Sequence, residues 1–590
     1  MEFGELLDNS CLVNPVYAII SAQKEARKLL KNALKSVATR ADAEILLLRP
    51  KEAWQGDLSC SVCFELARTL KKSPKEIAEE VARKVNENHK KIFVEKCEPV
   101  NGHLNFFFSP AFFEAALKEI RKGKGDFGRL KLGRGVALVD YSHPNVGKPM
   151  HVGHIRSTIL GDSIKRLLSF SGYKSVGFNY LGDSGSQVAK LVLAMQKFKD
   201  LPEMTNEKSM LDYYVKINQE IEADAALNEE ARGILERIEA GDEKTLREVE
   251  RIREVSMKAF ERNYGLLGIV FEEVTGESAF VNDAKKRVVE AVKKGIAIRE
   301  ADGTVIVKLE PELPNTVLMR SNGTTLYLTR DLALADYKWK NYKFALNLYV
   351  TAAEQNLHFQ QVFKTLEKLG REYCRKCVHI GFGLLFLEEG KISSREGRVV
   401  FLEDVLNNAR ELAKEEIKRT CEYDAQMIEE ISTKVGIGAV KFALLRITPE
   451  KNISFDLKRV VSFQGDTGAY VQYTYVRASN ILRKALEQRT SPGRRPLKAL
   501  AINDAEKNLV RALADFPIAV ESAAKQFRPH ILCDYLLDLS NSFSAFYDAC
   551  PVLKAETLEE RNQRLLIVEA TKTVLGNGLR LLGIEAPERM

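Results

Sequence analysis

The sequence predicts a multidomain α/β protein. Its parts are a small α+β domain of residues 1–130, a parallel-sheet domain of residues 131–404 broken by a helical insertion at about 190–300, and an all-α domain of residues 405–590. Three observations lead there. At 590 residues, 45% of them hydrophobic and 29% charged, the chain exceeds one compact core and is too apolar for disorder. Apolar β-like runs alternate with amphipathic helical patterns from Val136 to about Phe386. From about Glu403 onward only helical periodicity remains, with no convincing strand.

Composition removes some classes of function. No stretch reaches the roughly 18 uninterrupted apolar residues of a membrane span. Glu2, Glu5 and Asp8 precede any basic residue, the reverse of a secretory or mitochondrial leader, so a soluble cytoplasmic protein is expected. The excess of 89 basic over 81 acidic side chains permits a polyanionic partner without demanding one. Of the nine cysteines, Cys60/Cys63 and Cys374/Cys377 form close pairs. They read as unpaired buried thiols, with a single zinc site built from both pairs as the alternative.

The elements follow in order. Trp54-Gln-Gly-Asp57 is a turn, Pro74–Val85 a helix with proline at its start, and His103–Phe108 an aromatic strand. The basic, glycine-rich run Arg121–Gly135 suits a linker. Val136–Asp140, Ser175–Tyr180, Ala345–Thr351 and His379–Phe386 are apolar enough for one buried parallel sheet. Between the second and third, residues 190–300 are rich in Glu, Lys, Arg and Ala, a helical insertion with a solvated charged face.

The chemistry concentrates after the first of these strands, in Ser142-His-Pro-Asn-Val-Gly-Lys-Pro-Met-His-Val-Gly-His154. Pro144 and Pro149 extend the loop, and a helix starts near Gly153, so His151, Gly153 and His154 sit at a strand-to-helix turn on the carboxyl edge of the sheet. Backbone N–H groups and the positive helix end there favour a phosphate, and the glycine lets a base or ribose approach the backbone. A structural histidine pair, or half of a metal site, is the alternative; no Cys, His or Asp cluster nearby completes four ligands. A second feature, Gly390-Lys-Ile-Ser-Ser-Arg-Glu-Gly-Arg398, sets three cations and two hydroxyls in a short loop. Such a loop suits a triphosphate, or is a solvated turn.

Together, HVGH and GKISSREG resemble the two signatures of the class I aminoacyl-tRNA synthetases. The extended first signature Ser142–Ser157, Tyr327-Leu-Thr-Arg-Asp331, His379–Gly383, Gly465–Arg477 and Leu582–Met590 narrow the resemblance to the arginyl-tRNA synthetases, along the whole chain. The resemblance implies a Rossmann-type catalytic domain, a tRNA-contacting N-terminal domain and a C-terminal anticodon-binding domain. It implies an arginine-tRNA ligase that adenylates L-arginine with ATP, Mg²⁺ assisting, and transfers it to the 3′ end of tRNA-Arg. It also implies a monomer that needs bound tRNA before adenylation.

Residue by residue, the resemblance assigns ATP to His151, Gly153, His154, Phe382, Lys391, Ser393, Ser394 and Arg395. His151, His154 and Lys391 stabilise charge. The second lysine of the mobile signature is Ser394 here, and Lys148, with Arg395 competing, is the expected substitute. Arginine falls to Asp140, Asn145, Glu277, Tyr327, Asp331 and Gln355; Asp140 replaces a frequent glutamate, and Asp331 reads otherwise as a helix N-cap. A pocket that pairs the guanidinium with buried carboxylates discriminates by about 10⁴ to 10⁵ without proofreading, and the insertion shows no catalytic cluster, so no editing is expected.

For tRNA, Tyr470, Tyr475, Arg477, Arg483 and Lys484 combine aromatics with cations as single-stranded loops require, while Tyr473 reads as core. A cytidylyltransferase shares HxGH but needs no anticodon-type domain. Another class I synthetase would lack the arginine residues. A non-enzymatic RNA-binding relative would not need intact His151, His154 and Lys391.

Overall fold

The N-terminal unit is built from residues whose periodicity leaves little choice. In the computed structural model, which describes residues 17–37, 45–50, 52–88, 90–387, 401–420, 422–488 and 502–590, it runs α1 (Ala18–Val37), β1 (Leu58–Cys60), α2 (Val62–Leu70), α3 (Pro74–Asn86), β2 (Val94–Val100), β3 (His103–Phe108) and α4 (Pro110–Gly123). In α3, Ile77, Ala78, Val81, Ala82 and Val85 form a buried stripe, and Ser73 and Glu76 cap its start reciprocally. The three strands pair antiparallel in the order β1-β3-β2. Cys60, Cys63 and Cys97 are free buried thiols there.

Next come β4 (Val136–Asp140), α5 (Val152–Phe170), β5 (Lys174–Leu181), α6 (Ser186–Lys197), α7 (Glu207–Ala223), α8 (Ala226–Ala240), α9 (Glu243–Leu267), β6 (Glu273–Gly276) and α10 (Val281–Lys293). They are followed by β7 (Ala297–Arg299), β8 (Val305–Val307), β9 (Thr316–Met319), α11 (Tyr327–Tyr342), β10 (Leu346–Ala352), α12 (Asn356–Lys368), β11 (Cys377–Phe382) and β12 (Leu385–Leu387). Five strands form one parallel sheet in the order β11-β10-β4-β5-β6. The helical insertion is α6–α9, but its expected span hides β6, four residues whose mixed polarity carries no strand pattern. A second small sheet, β7-β8-β9, is antiparallel.

The expected strand His379–Phe386 splits. Its sheet portion stops at Phe382, because Gly383 turns to donate its N–H to the Pro449 carbonyl (2.8 Å), and β12 pairs elsewhere. Its partner, β13 (Ile453–Phe455), lies where only helices were expected. The helices there are α13 (Leu402–Thr420), α14 (Ala425–Arg446), α15 (Leu457–Val460), α16 (Gly468–Glu487), α17 (Asp504–Ala514), α18 (Phe516–Gln526), α19 (His530–Ala549) and α20 (Leu558–Leu581).

The run Arg121–Gly135 is not a free linker. It starts inside α4, and its backbone is tied to α20: Asn577 Nδ2–H donates to the carbonyls of Lys124 (2.8 Å) and Phe127 (3.2 Å). Phe127 stacks on Phe516, centroids 6.0 Å apart. Asp57 of the N-terminal unit makes a buried ion pair with Arg511 of α17, and Tyr17 donates its hydroxyl to the Arg129 carbonyl (2.9 Å). The two ends of the chain are thus clasped together. Arg511→Leu leaves Asp57 buried without its partner, a cost of about 3 kcal/mol. Hydrogen exchange at Leu58–Cys60 and along α17 should then accelerate about a hundredfold; unchanged protection at both would count against the clasp.

Candidate active site

The sheet order places β4 in the middle, with β5 on one side and β10 on the other. The chain crosses first to one side and later to the other, so the carboxyl ends of β4 and β10 frame a crevice at a topological switch point. A cavity of about 740 Å³ opens there, ample for a nucleotide and an amino acid together. Asp140, Asn145, His151, Gly153, His154, Glu277, Tyr327, Asp331, Gln355 and Phe382 all line it, although they come from five separate parts of the chain. Lys148 does not; its ammonium lies 5.1 Å from the Tyr214 ring centroid. Lys391, Ser393, Ser394 and Arg395 lie outside the described residues.

The turn into α5 fixes both histidines. Gly153 N–H donates to His151 Nδ1 (3.0 Å) and His151 N–H to His154 Nδ1 (3.3 Å), and the rings meet at a tilt of 46° with centroids 4.1 Å apart. Because each Nδ1 accepts, each Nε2 carries the proton of a neutral ring. Burial, then the charge of Lys148, lowers His151 to about 4. Burial, then His151, holds His154 well below the ordinary value. Gly153 is required for a reason the sequence reading missed: a Cβ there would meet the His151 ring at 2.7 Å, so the glycine makes room for the folded imidazole.

Upstream, Ser142 (φ 82°) and His143 (φ 49°) adopt the left-handed region that non-glycine residues avoid. A buried network holds them. Ser157 Oγ accepts the Ser142 N–H (3.0 Å) and donates to the Val350 carbonyl (2.7 Å), while Tyr264 and Thr158 bond the Ser142 hydroxyl at 2.8 and 2.9 Å. Arg156, one helical turn beyond His151, reaches the carbonyls of Gly383 (2.5 Å) and Lys451 (2.6 Å), tying α5 to the end of β11 and to the segment before β13.

Three carboxylates in the cavity each meet a nitrogen donor of the protein. Lys338 pairs with Asp140. Arg330 Nη1 donates to Glu277 Oε2 (2.8 Å). His358 Nε2 donates to Asp331 Oδ2 (2.6 Å). Glu277 is still pushed up to about 7, because burial outweighs Arg330. Asp331 lies inside the first turns of α11, which starts at Tyr327, so the N-cap alternative fails. Asp140, expected at the substrate, has one oxygen already engaged. Tyr327 is 62% exposed at the cavity wall. Sequence reasoning missed Lys338, Arg330 and His358. The signal was present for two of them, since Arg330 adjoins Asp331 and Lys338 follows at helical spacing.

On the C-terminal domain the tyrosine assignments change. Tyr475 is 9% exposed, beneath Lys572, and cannot stack on a base. Tyr473, expected in the core, is partly exposed, and Arg477 lies 4.8 Å from both the Tyr473 and Tyr547 rings. Tyr470 bonds Ser544 Oγ at 3.0 Å. Arg483 and Lys484 are exposed, Arg483 paired with Glu487.

A nucleotide-type parallel sheet with a histidine pair at the switch point, an inserted helical segment and a following helical domain define a class I aminoacyl-tRNA synthetase. Family models agree: "tRNA synthetases class I (R), catalytic domain" matches residues 124–457, "DALR anticodon binding domain" residues 471–590 and "Arginyl tRNA synthetase N terminal domain" residues 24–108. The arginine–tRNA ligase of Clostridioides difficile is 38% identical over 557 residues, covering 94% of this chain and 97% of that protein. That of Halothermothrix orenii is 38% identical over 555 residues, covering 93% and 96%. The solved Thermus thermophilus arginyl-tRNA synthetase superposes with a TM-score of 0.78 at 29% identity, over 96% of this chain and 100% of that one. The chain belongs to the arginyl-tRNA synthetase family.

The neutral histidines carry a pH consequence. With its folded value near 4 against 6.5 for a free ring, the stabilisation from a neutral His151 is full above about pH 6.5 and is lost as the pH falls toward 4. His151→Asn, which does not titrate, should therefore lose less stability than the parent between pH 6.5 and 4.5 in thermal unfolding. Parallel curves would remove the argument.

Proposed function

We propose that the cavity holds ATP against the start of α5 and L-arginine beneath α11, joins them as an adenylate, and passes the arginyl group to the 3′ end of tRNA-Arg. Ligase activity of the aminoacyl-tRNA kind comes with the family. One observation carries the residue-level reading: two Nε2–H donors and three carboxylates converge on one 740 Å³ cavity at the switch point.

In the first step an oxygen of the arginine carboxylate attacks the α-phosphorus in line and pyrophosphate leaves. Little covalent work falls to the protein, so positioning and charge placement decide the rate. His151 and His154 donate Nε2–H to phosphate oxygens as charge grows on them. As neutral rings, each offers a single Nε2–H donor. Lys391 follows the β- and γ-phosphates, and Ser393, Ser394, Arg395 and Phe382 complete the nucleotide site. Lys148 supplies the charge the second signature lacks, since its field already reaches both rings. Asn145 and Gln355 hold the carboxylate and amino ends. Glu277, Asp331 and Tyr327 face the guanidinium. In the second step a terminal ribose hydroxyl attacks the adenylate carbonyl and AMP leaves.

Mg²⁺ would enter with the triphosphate as its counter-ion: among the described residues no three His, Cys, Asp or Glu side chains converge on a metal-sized site. As a division of labour, residues 1–130 would contact the tRNA body, 131–404 perform chemistry, and 405–590 take the anticodon through Tyr470, Arg477, Arg483 and Lys484. A cytoplasmic monomer fits this reading; among the described residues no helix is long and apolar enough to cross a membrane.

Arginine-dependent ATP–pyrophosphate exchange in the presence of tRNA tests the whole; its absence would sink the proposal. Lys148→Ala should cut that exchange at least about tenfold while the arginine KM stays within about threefold. A parental rate would transfer the role to Arg395. Glu277 gives a second readout. Its carboxyl lies near 7 and must ionise to meet a guanidinium, so arginine binding should release protons and tighten about tenfold from pH 6 to 8. An affinity flat across that range would exclude Glu277 from the guanidinium site.

A further inference from the structure

The geometry points to Lys338 as a positioning residue for the amino acid: it holds one oxygen of Asp140 and so aims the other at the substrate's α-ammonium. This rests on the arginine reading of the pocket and adds a residue to it. Lys338 sits on α11 with its side chain 0% exposed, and Asp140 at the end of β4 is 1% exposed. The Lys338 ammonium pairs with Asp140 Oδ2 and lies 4.5 Å from the ring centroids of both Phe178 and Tyr349.

A lysine so placed is expensive. Its ammonium is strongly hydrated in water, and an apolar residue of similar volume would often serve packing as well or better. Its return is orientation. Asp140 lines the cavity opposite Tyr349 in the β4–β10 register, and its Oδ1 is buried with no hydrogen bond. The Nδ1 of His143 stands 3.6 Å away, beyond hydrogen-bond reach. A buried carboxylate oxygen without a donor calls for one from a ligand. Arginine carries two cationic ends. The planar guanidinium prefers two oxygens at once, and Glu277, Asp331 and Tyr327 already surround it. One free oxygen suits a point-like ammonium instead. Lys338 keeps that oxygen single by occupying the other, and the two aromatic faces keep Lys338 from following the substrate.

Lys338→Met retains the length and removes the charge. In exchange with tRNA present, its arginine KM should rise about 10- to 100-fold, with the ATP KM within about threefold. The decisive probe is guanidinopentanoate, which is arginine without its α-amino group, used as a competitive inhibitor. Its inhibition constant should be the same for parent and variant, because the contact it lacks is the one Lys338 prepares. Should the single variant fold poorly, Asp140→Asn/Lys338→Met removes both charges together. That pair should unfold near the parental temperature and still show the raised arginine KM. An arginine KM at the parental value, or equal weakening of arginine and guanidinopentanoate, would overturn the inference and leave Lys338 structural. A parent with no arginine-dependent exchange would instead refute the pocket reading itself.

Discussion

A carboxylate removed from water must find a cation or give up its charge. The cavity at the switch point contains three; Lys338 and Arg330 are the cations that meet Asp140 and Glu277, and the His358 ring hydrogen-bonds Asp331. Both cations, and one of the carboxylates, lie on α11. That helix is therefore constrained beyond its apolar face. It docks where Arg330 and Lys338 can reach down to β4 and to the segment after β6 at once. The sheet order, with β4 central and β6 at the edge, sets the separation between those two acids.

The α5 side of the cavity follows a different logic. There the chain spends backbone strain, at Ser142 and His143, to place two neutral rings over the first turn of α5. The hydroxyl network through Ser157, Thr158 and Tyr264 holds that conformation, and Tyr264 comes from α9 of the insertion. The insertion thus supports the site from behind. Arg156 performs the matching task on the other flank, binding the end of β11 through carbonyls alone. The histidine pair and the three carboxylates are thus held by separate supports.

How much of this was legible follows from where the signal resides. Four sheet strands and the α5 turn were readable because apolar runs and an HxGH turn are local patterns, and the family signatures pointed to ten of the residues that line the cavity. Strand β6 was not, since four residues with mixed polarity at a sheet edge carry no periodicity. The break at Gly383 was hidden because its cause, the Pro449 carbonyl, is 66 residues away. Tyr473 and Tyr475 exchanged roles because two tyrosines two apart on a helix face nearly opposite ways, and sequence does not say which way the core lies. The counter-cations went unnoticed for a related reason: a lysine in a helical pattern reads as solvated until the fold shows what stands above it.

The clasp between the chain's ends changes how the molecule meets a long partner. With Asp57 locked to Arg511, Phe127 on Phe516 and Asn577 holding the connector, the outer domains do not hang from hinges. A partner that touches both finds its two docking patches already at a fixed span. The entropy of arranging them was spent during folding, so the second contact forms at a high effective concentration set by a rigid body instead of a tether. The same rigidity acts as a gauge: a partner of the wrong length or bend cannot engage both patches, whatever its local chemistry.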